Sequence, residues 1–245
     1  MSNKFNDILQ EINNVKVTID SYSPSIKQPV QLSPLTLAQQ KSIIESSADS
    51  NLSALFFNSV FFKILKQNVK DDISKYNTID RVNFALSLRS QLQDSYTFNE
   101  IKFSLNEVIE KNKKIEYELK EQEITSDNFT FTVKTPNLVL DDKINNIILS
   151  KYKGDNINSS KLKSLISDLF VHEILKFITK VKVNDKEVEM HQDINSAVDL
   201  LERIDSSKLT EITRYINSVR DIEKTFATLP GSASSVDIVP DFFII

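Results

Sequence analysis

Residues 161–190 read KLKSLISDLFVHEILKFITKVKVNDKEVEM. In the first half, Leu162, Leu165, Ile166, Leu169, Phe170 and Ile174 recur at intervals of three and four, the spacing of a helix face. The period then drops to two. Val181 and Val183 alternate with lysines, Asn184-Asp185 supplies a turn, and Val188 and Met190 return as a second strand. A helix passing straight into an antiparallel hairpin belongs to an α+β fold, and two further hairpins alternate with helices on the N-terminal side of this stretch.

Toward the N-terminus, VKVTIDSY alternates Val15, Val17 and Ile19 with polar residues and reads as a strand. SPSIKQP follows as a turn and VQLSP as a short returning strand, bracketed by Pro29 and Pro34 as an edge strand would be. Thr36 and Gln39 form a capping box ahead of a first helix. NLSALFFNSVFFKILKQNV is a second helix, apolar so far around its circumference that it must be buried on more than one side. TIDRVNFALSLRSQLQD is a third, with Thr78 as cap and Ile79, Val82, Ala85, Leu86 and Leu88 as its buried face. KIEYELKEQEI and NFTFTVKTP read as an antiparallel pair, the first through Ile115, Tyr117 and Leu119, the second ended by Pro136. Beyond the opening stretch, INSAVDLLERI and SKLTEITRYINSVRDIEKTF are helices, ATLPGSASS is a loop, and VDIVPDFFII is a terminal extended segment. The expected fold class is α+β, mostly helical, with short antiparallel β-hairpins and no parallel doubly wound sheet. The linker-like SKYKGDNINSS suggests two lobes: residues 1–150 with the first hairpin, helices and middle strands, and 151–245 with helices, a hairpin and the terminal strand.

Composition narrows the chemistry. The 245 residues are 40% hydrophobic, enough for one large or two small cores. The net charge of -4, with basic residues scattered, gives no electrostatic footprint for nucleic acid. No run reaches the roughly 18–20 apolar residues of a membrane span, so no membrane insertion is expected. MSNKFNDILQEI lacks the pattern of a secretory signal, and a soluble cytosolic chain is expected. With no cysteine there are no disulfide partners, thiolate metal sites or cysteine nucleophiles. The two glycines, Gly154 and Gly231, belong to neither GxGxxG nor GxxxxGK, so no nucleotide cradle and no cofactor is expected.

Few reactive constellations remain. His172 sits inside a helix as a structural residue, and His191 follows a hairpin strand and is expected to be exposed. Neither belongs to HExxH, and no GxSxG elbow occurs. Asp71-Asp72 and Asp141-Asp142 sit before a loop and at a helical turn, where negative charge suits the macrodipole. No catalytic and no metal-binding residue is assigned. Fifteen phenylalanines without a tryptophan read first as core filling.

Several stretches, read in order, resemble one family. They are YSPSIKQPVQLSPLTLAQQKSII (22–44), IDRVNFALSLRS (79–90), FITKVKVNDKEVEM (177–190), and ATLPGSAS (227–234) followed by PDFFII (240–245). Together they resemble the T-even-type bacteriophage baseplate protein family, linked to baseplate hub assembly in contractile tails. The similarity spans about residues 17–245 and rests on collinear order. Relatives carry cysteine pairs that look like zinc ribbons; the matching segments here, 117–129 and 229–239, have none, so no metal role carries over.

The resemblance implies a non-enzymatic virion protein of the tail baseplate, assembled in the host cytoplasm, with other hub or wedge proteins as partners. It would be either a retained hub-associated subunit or an assembly chaperone. The candidate partner-binding residues are Val30, Leu32 and Pro34 in the first hairpin and Phe242, Phe243, Ile244 and Ile245 at the end. The final Phe-Phe inserts either into this chain's own core or into a neighbouring subunit. The alternatives are a baseplate-associated cell-wall hydrolase, which needs a carboxylic acid of raised pKa beside a second carboxylate in a cleft, and an adaptor for non-tail partners.

Overall fold

The computed structural model describes residues 17–48, 52–98, 100–152 and 159–244, with positions 4, 6, 8 and 11. The expected strand residue Val15 and most of the linker-like stretch (153–158) lie outside the described residues. The chain is α+β and mostly helical, with small antiparallel sheets and no parallel pairing among the described residues.

Strands β1 (Ile19–Ser23) and β2 (Gln28–Leu32) form the first hairpin, turning through Lys27 at φ 54°. Helix α1 (Leu37–Glu45) starts at the expected capping box: Thr36 Oγ1 accepts from the Gln39 N–H at 3.2 Å, and Gln39 Oε1 accepts from the Thr36 N–H at 3.0 Å. Helix α2 (Ser53–Asn68) buries Phe57, Phe61 and Leu65 in one hydrophobic cluster and Leu55 in another, so it is enclosed on two sides as its composition required. Helix α3 (Asp80–Leu92) follows, then a hairpin of β3 (Ser95–Phe98) and β4 (Ile101–Ser104), and helix α4 (Leu105–Asn112). Strands β5 (Gln122–Ser126) and β6 (Phe129–Val133) lead into helices α5 (Leu138–Tyr152) and α6 (Ser159–Phe177). The hairpin of β7 (Ile178–Val183) and β8 (Lys186–Glu189) turns at Asn184, φ 54°. Helices α7 (Ile194–Leu201) and α8 (Thr210–Ala227) complete the helical part.

The hairpin β3–β4, helix α4 and the full length of α5 go beyond the sequence reading, and three expected features are placed differently. The strand expected around Ile115–Leu119 lies further on, at β5; Ile115, Tyr117 and Leu119 instead pack irregularly against the second core cluster. Asp80 begins α3 where Thr78 was expected to cap it, because Asn77 Oδ1 accepts the Ile79 N–H at 3.0 Å. The end of the chain forms a 3₁₀ turn, Pro240–Phe243, in place of an extended strand.

Packing crosses residue 150. Strands β5, β6, β7 and β8 make one antiparallel sheet in that order, so β6 before the boundary pairs with β7 after it. The first cluster joins residues 19–138 to Leu229, Val236, Phe242 and Phe243; the second joins Ile79, Phe131 and Ile144 to residues 174–226.

Helix α3 lies between these clusters and is buried on all sides: nine of its thirteen residues are inaccessible, including Asp80, Asn83, Ser87, Arg89 and Ser90. Each polar group needs a partner, because an unsatisfied one costs about 1–3 kcal/mol. Most of the partners come from distant segments. Asp80 accepts from the Ser23 hydroxyl (2.7 Å), the Ser25 hydroxyl (2.5 Å) and N–H (2.9 Å), and the Asn77 N–H (2.9 Å). Asn83 donates to the Tyr22 carbonyl at 3.1 Å and accepts from Asn112, whose amide also donates to the Phe226 carbonyl. Ser87 pairs with Ser21 at 2.7 Å. Arg89 Nε donates to the Phe242 carbonyl at 2.7 Å and Nη1 to the Gln93 carbonyl at 2.7 Å.

Phe243 is fully buried, with its ring 5.5 Å from Phe61 and 6.2 Å from Phe57. Phe243→Ala is expected to lower stability by about 3–5 kcal/mol. Because Arg89→Ala loosens the same segment, the double variant should fall short of additivity by about 0.5–3 kcal/mol. Urea unfolding of both single variants and the double measures this; strict additivity would separate the arginine from the docked end.

Candidate interaction surface

The hairpin residues proposed for partner binding are occupied within the chain. Val30 and Leu32 are buried in the first cluster. The adjoining edge is partly paired as well: the Ser33 N–H donates to the Asn68 carbonyl at 2.8 Å, the Lys70 N–H to the Gln31 carbonyl at 3.0 Å, and the Asn68 amide to the Ser33 and Pro34 carbonyls. Pro34 itself is half-buried. At the other end, Phe242 and Phe243 fill this chain's own core, which decides between the two placements left open for them. Arg89 and Gln40, the latter donating to the Phe243 carbonyl at 2.9 Å, hold the backbone there. Ile244 is half exposed and Ile245 lies outside the described residues. The two ends therefore serve the fold, and of the seven only Ile244 and part of Pro34 face outward among the described residues.

A more open apolar surface lies on α6. Its six periodic apolar residues are too many for one buried face. Leu165 and Ile174 turn inward, whereas Leu162, Ile166 and Phe170 stay 40%, 58% and 59% exposed. Spaced four apart, these three form a continuous ridge along one side of the helix. Phe170 stands between two hollows. One, about 370 Å³, lies against α8 and is lined by Leu169, Ile174, Thr213 and Ile216; the other, about 240 Å³, is lined by Val171, Leu201, Ile204 and Leu209. An aromatic flanked by apolar hollows is the form of a protein-contact anchor. The signal in the sequence was the excess width of the α6 stripe.

A charged cluster lies at the C-terminal end of the same helix. Asp141 of α5 bonds to Arg81 of α3 and to Lys176 of α6, the latter at 2.8 Å. Lys176 also meets Asn145 at 2.9 Å and Glu173 at 3.0 Å, and Glu173 reaches Arg220 of α8 at 3.0 Å. Four helices are thus tied by alternating charges. Burial alone would raise the Asp141 carboxyl, but Arg81 and Lys176 outweigh it and hold it down to about 2. Asp141 therefore acts as a buried ionic tie, a larger role than favouring a helix start.

Burial pushes Asp80 up, opposed by its four hydrogen bonds, and it is enclosed by Ser23, Ser25 and Asn77. Half-buried Glu223 of α8 belongs to the charged cluster: burial raises it, Thr78 and Arg81 oppose that, and Asp141 and Glu173 add to it. His172 is buried, with Nδ1 2.7 Å from the Asp168 carbonyl. His191, expected to be exposed, is half-buried because Nε2 donates to the Leu175 carbonyl at 2.9 Å; burial lowers its pKa. Among the described residues no three His, Asp or Glu side chains converge as a metal site, and no helix is long and apolar enough to cross a membrane.

No protein-family model, curated protein or solved structure matches the chain.

The charged cluster has a pH signature. A carboxyl whose folded pKa is depressed stabilises the fold above its unfolded value and loses that contribution as pH falls toward the folded one. For Asp141 the window runs from about 3.8 down to about 2. Asp141→Asn should cost about 3–5 kcal/mol at neutral pH, since Arg81 and Lys176 lose their partner. The gap between parent and variant should then narrow by on the order of 2 kcal/mol between pH 5 and pH 2. Denaturant titrations across that range check it; a constant gap would mean Asp141 carries no depressed pKa.

Proposed function

We propose that this chain is a structural or assembly protein of a contractile bacteriophage tail baseplate, associated with the hub, and that it works through protein–protein contacts. Support comes from the collinear stretches at 22–44, 79–90, 177–190 and 227–245 that resemble that family. The observation that carries the contact role is the exposed Leu162–Ile166–Phe170 ridge between its two hollows. Other apolar side chains are exposed as well, Leu37 at 82% and Ile101 at 59% among them, but the three on α6 form a row beside two hollows, and such a row marks the face a neighbouring subunit would cover.

On this reading the partner is a hub or wedge protein, and the chain reaches the virion baseplate after assembly in the host cytoplasm. The charged cluster ties the C-terminal end of α6 to α3, α5 and α8 and so fixes the helix that carries the ridge. A preordered surface loses less side-chain entropy on docking.

Ile166→Glu/Phe170→Glu should leave the melting temperature of the isolated chain within a few degrees of the parent, because both residues are exposed. In phage carrying the variant, the expected outcome is loss of this protein from purified tails or baseplate intermediates, read by mass spectrometry. Normal incorporation and infectivity would remove the ridge from the contact; absence of the parent protein from every tail intermediate would remove the baseplate reading itself.

A further inference from the structure

We infer that the cavity between the first hairpin and the start of α5 binds a small phosphate-type oxyanion, free or as a phosphate ester. It measures about 440 Å³, and no carboxylate lines it. Lys75 and Lys134 both line it, and neither ammonium makes a hydrogen bond or a close ion pair among the described residues, although the charge of Lys75 helps to lower the pKa of nearby Asp72.

Two asparagines complete the wall. Asn77 and Asn137 face each other across an antiparallel bridge. Asn77 Oδ1 accepts the Ile79 N–H at 3.0 Å, and Asn137 Oδ1 accepts the Leu140 N–H at 2.8 Å. A backbone N–H can be met only by the amide oxygen, so both amide orientations are fixed. The NH₂ groups are left without partners on residues that line the cavity. The available groups are therefore two ammonium ions and two amide donors. Hydroxyls in the wall are already committed: Ser25 donates to Asp80, Ser74 to Asp72 and Thr179 to the Thr132 carbonyl. A wall rich in free donors and empty of carboxylates suits an oxyanion.

Behind this wall, Lys176 is held by Asp141 and Glu173, and in that cluster the three cations Lys176, Arg81 and Arg220 stand against the three carboxyls Asp141, Glu173 and Glu223. An adjoining cleft shares Ser25, Asn77 and Leu119 but carries Glu116 and Glu118 beside Lys27 and Lys120. The charge of that cleft is mixed, which leaves the Lys75–Lys134 end for the anion. Ile26, Leu119 and Leu140 offer an apolar side for the organic part of an ester.

Calorimetric titration of the whole chain with inorganic phosphate and with phenyl phosphate, at constant ionic strength against chloride, tests this. Saturable binding is expected for at least one. Tighter binding of phenyl phosphate would point to an ester, and equal binding to the free anion. Asn137→Asp keeps the acceptor for Leu140 but turns the free donor into an anionic oxygen. Lys75→Met/Lys134→Met removes both exposed ammonium groups. Each should weaken binding about tenfold or more, with the thermal transition of Asn137→Asp unchanged or raised. If Asn137→Asp is destabilised, the lysine variant alone decides. No saturation by either anion in the millimolar range, or parental affinity in a folded variant, would overturn the site.

Discussion

The structure depends on the hydrogen-bonding demands of one buried helix. Helix α3 carries Asp80, Asn83, Ser87 and Arg89 into the interior, and none of them can be left without a partner there. Hydrophobic burial is indifferent to which apolar group meets which, so by itself it would allow several arrangements of short hairpins around these helices. Hydrogen bonds are directional and remove that freedom. The β1–β2 turn is fixed by Asp80, the β1 strand by Asn83 and Ser87, the end of α8 by Asn112 acting through Asn83, and the final turn by Arg89. Buried polar groups of this kind select one fold among alternatives of similar hydrophobic content.

A second tier of charge works around that helix. Arg81, one residue after Asp80, points away toward Asp141 and so links α3 to α5, α6 and α8. The two sides of α3 therefore have different chemistry. One side is organised by neutral donors, a single carboxylate and the guanidinium of Arg89, the other by paired full charges. The helix that carries the ridge is joined to the charged side through Glu173 and Lys176, and the donor-lined cavity has Asn77 and Lys176 in its wall.

Much of this architecture could be read from the residues, for identifiable reasons. The Thr36–Gln39 box, the α6-to-hairpin transition and the Asn184 turn depend on neighbours within a few positions, and local pattern reports local structure. The burial of α3 could not be read this way. A buried Asp, Asn, Ser and Arg have the same letters as a solvated face, and their partners lie 57 to 153 residues distant for Ser23–Asp80 and Arg89–Phe242. The strand placed at Ile115–Leu119 followed a true alternation, but those side chains serve packing without a ladder, and the pairing falls at β5. Val30 and Leu32 were read as an available edge because sequence cannot show that Asn68 and Lys70 already pair with the chain beside them. The oxyanion wall was silent for a similar reason: Asn77 and Asn137 meet only through tertiary folding.

The Arg89–Phe242 contact also bears on biosynthesis. The first hydrophobic cluster contains residues from the beginning of the chain, yet it lacks Phe242 and Phe243 until about 130 more residues beyond α4 have been translated. At ordinary elongation rates that interval is on the order of 10 s. During that time the nascent chain holds a slot between Phe57, Phe61 and Arg89 that nothing yet fills. Closure of the amino-terminal core thus has to wait until the segment around Phe242 has been made and is free to dock, and a truncated or stalled product would present that slot to chaperones and proteases.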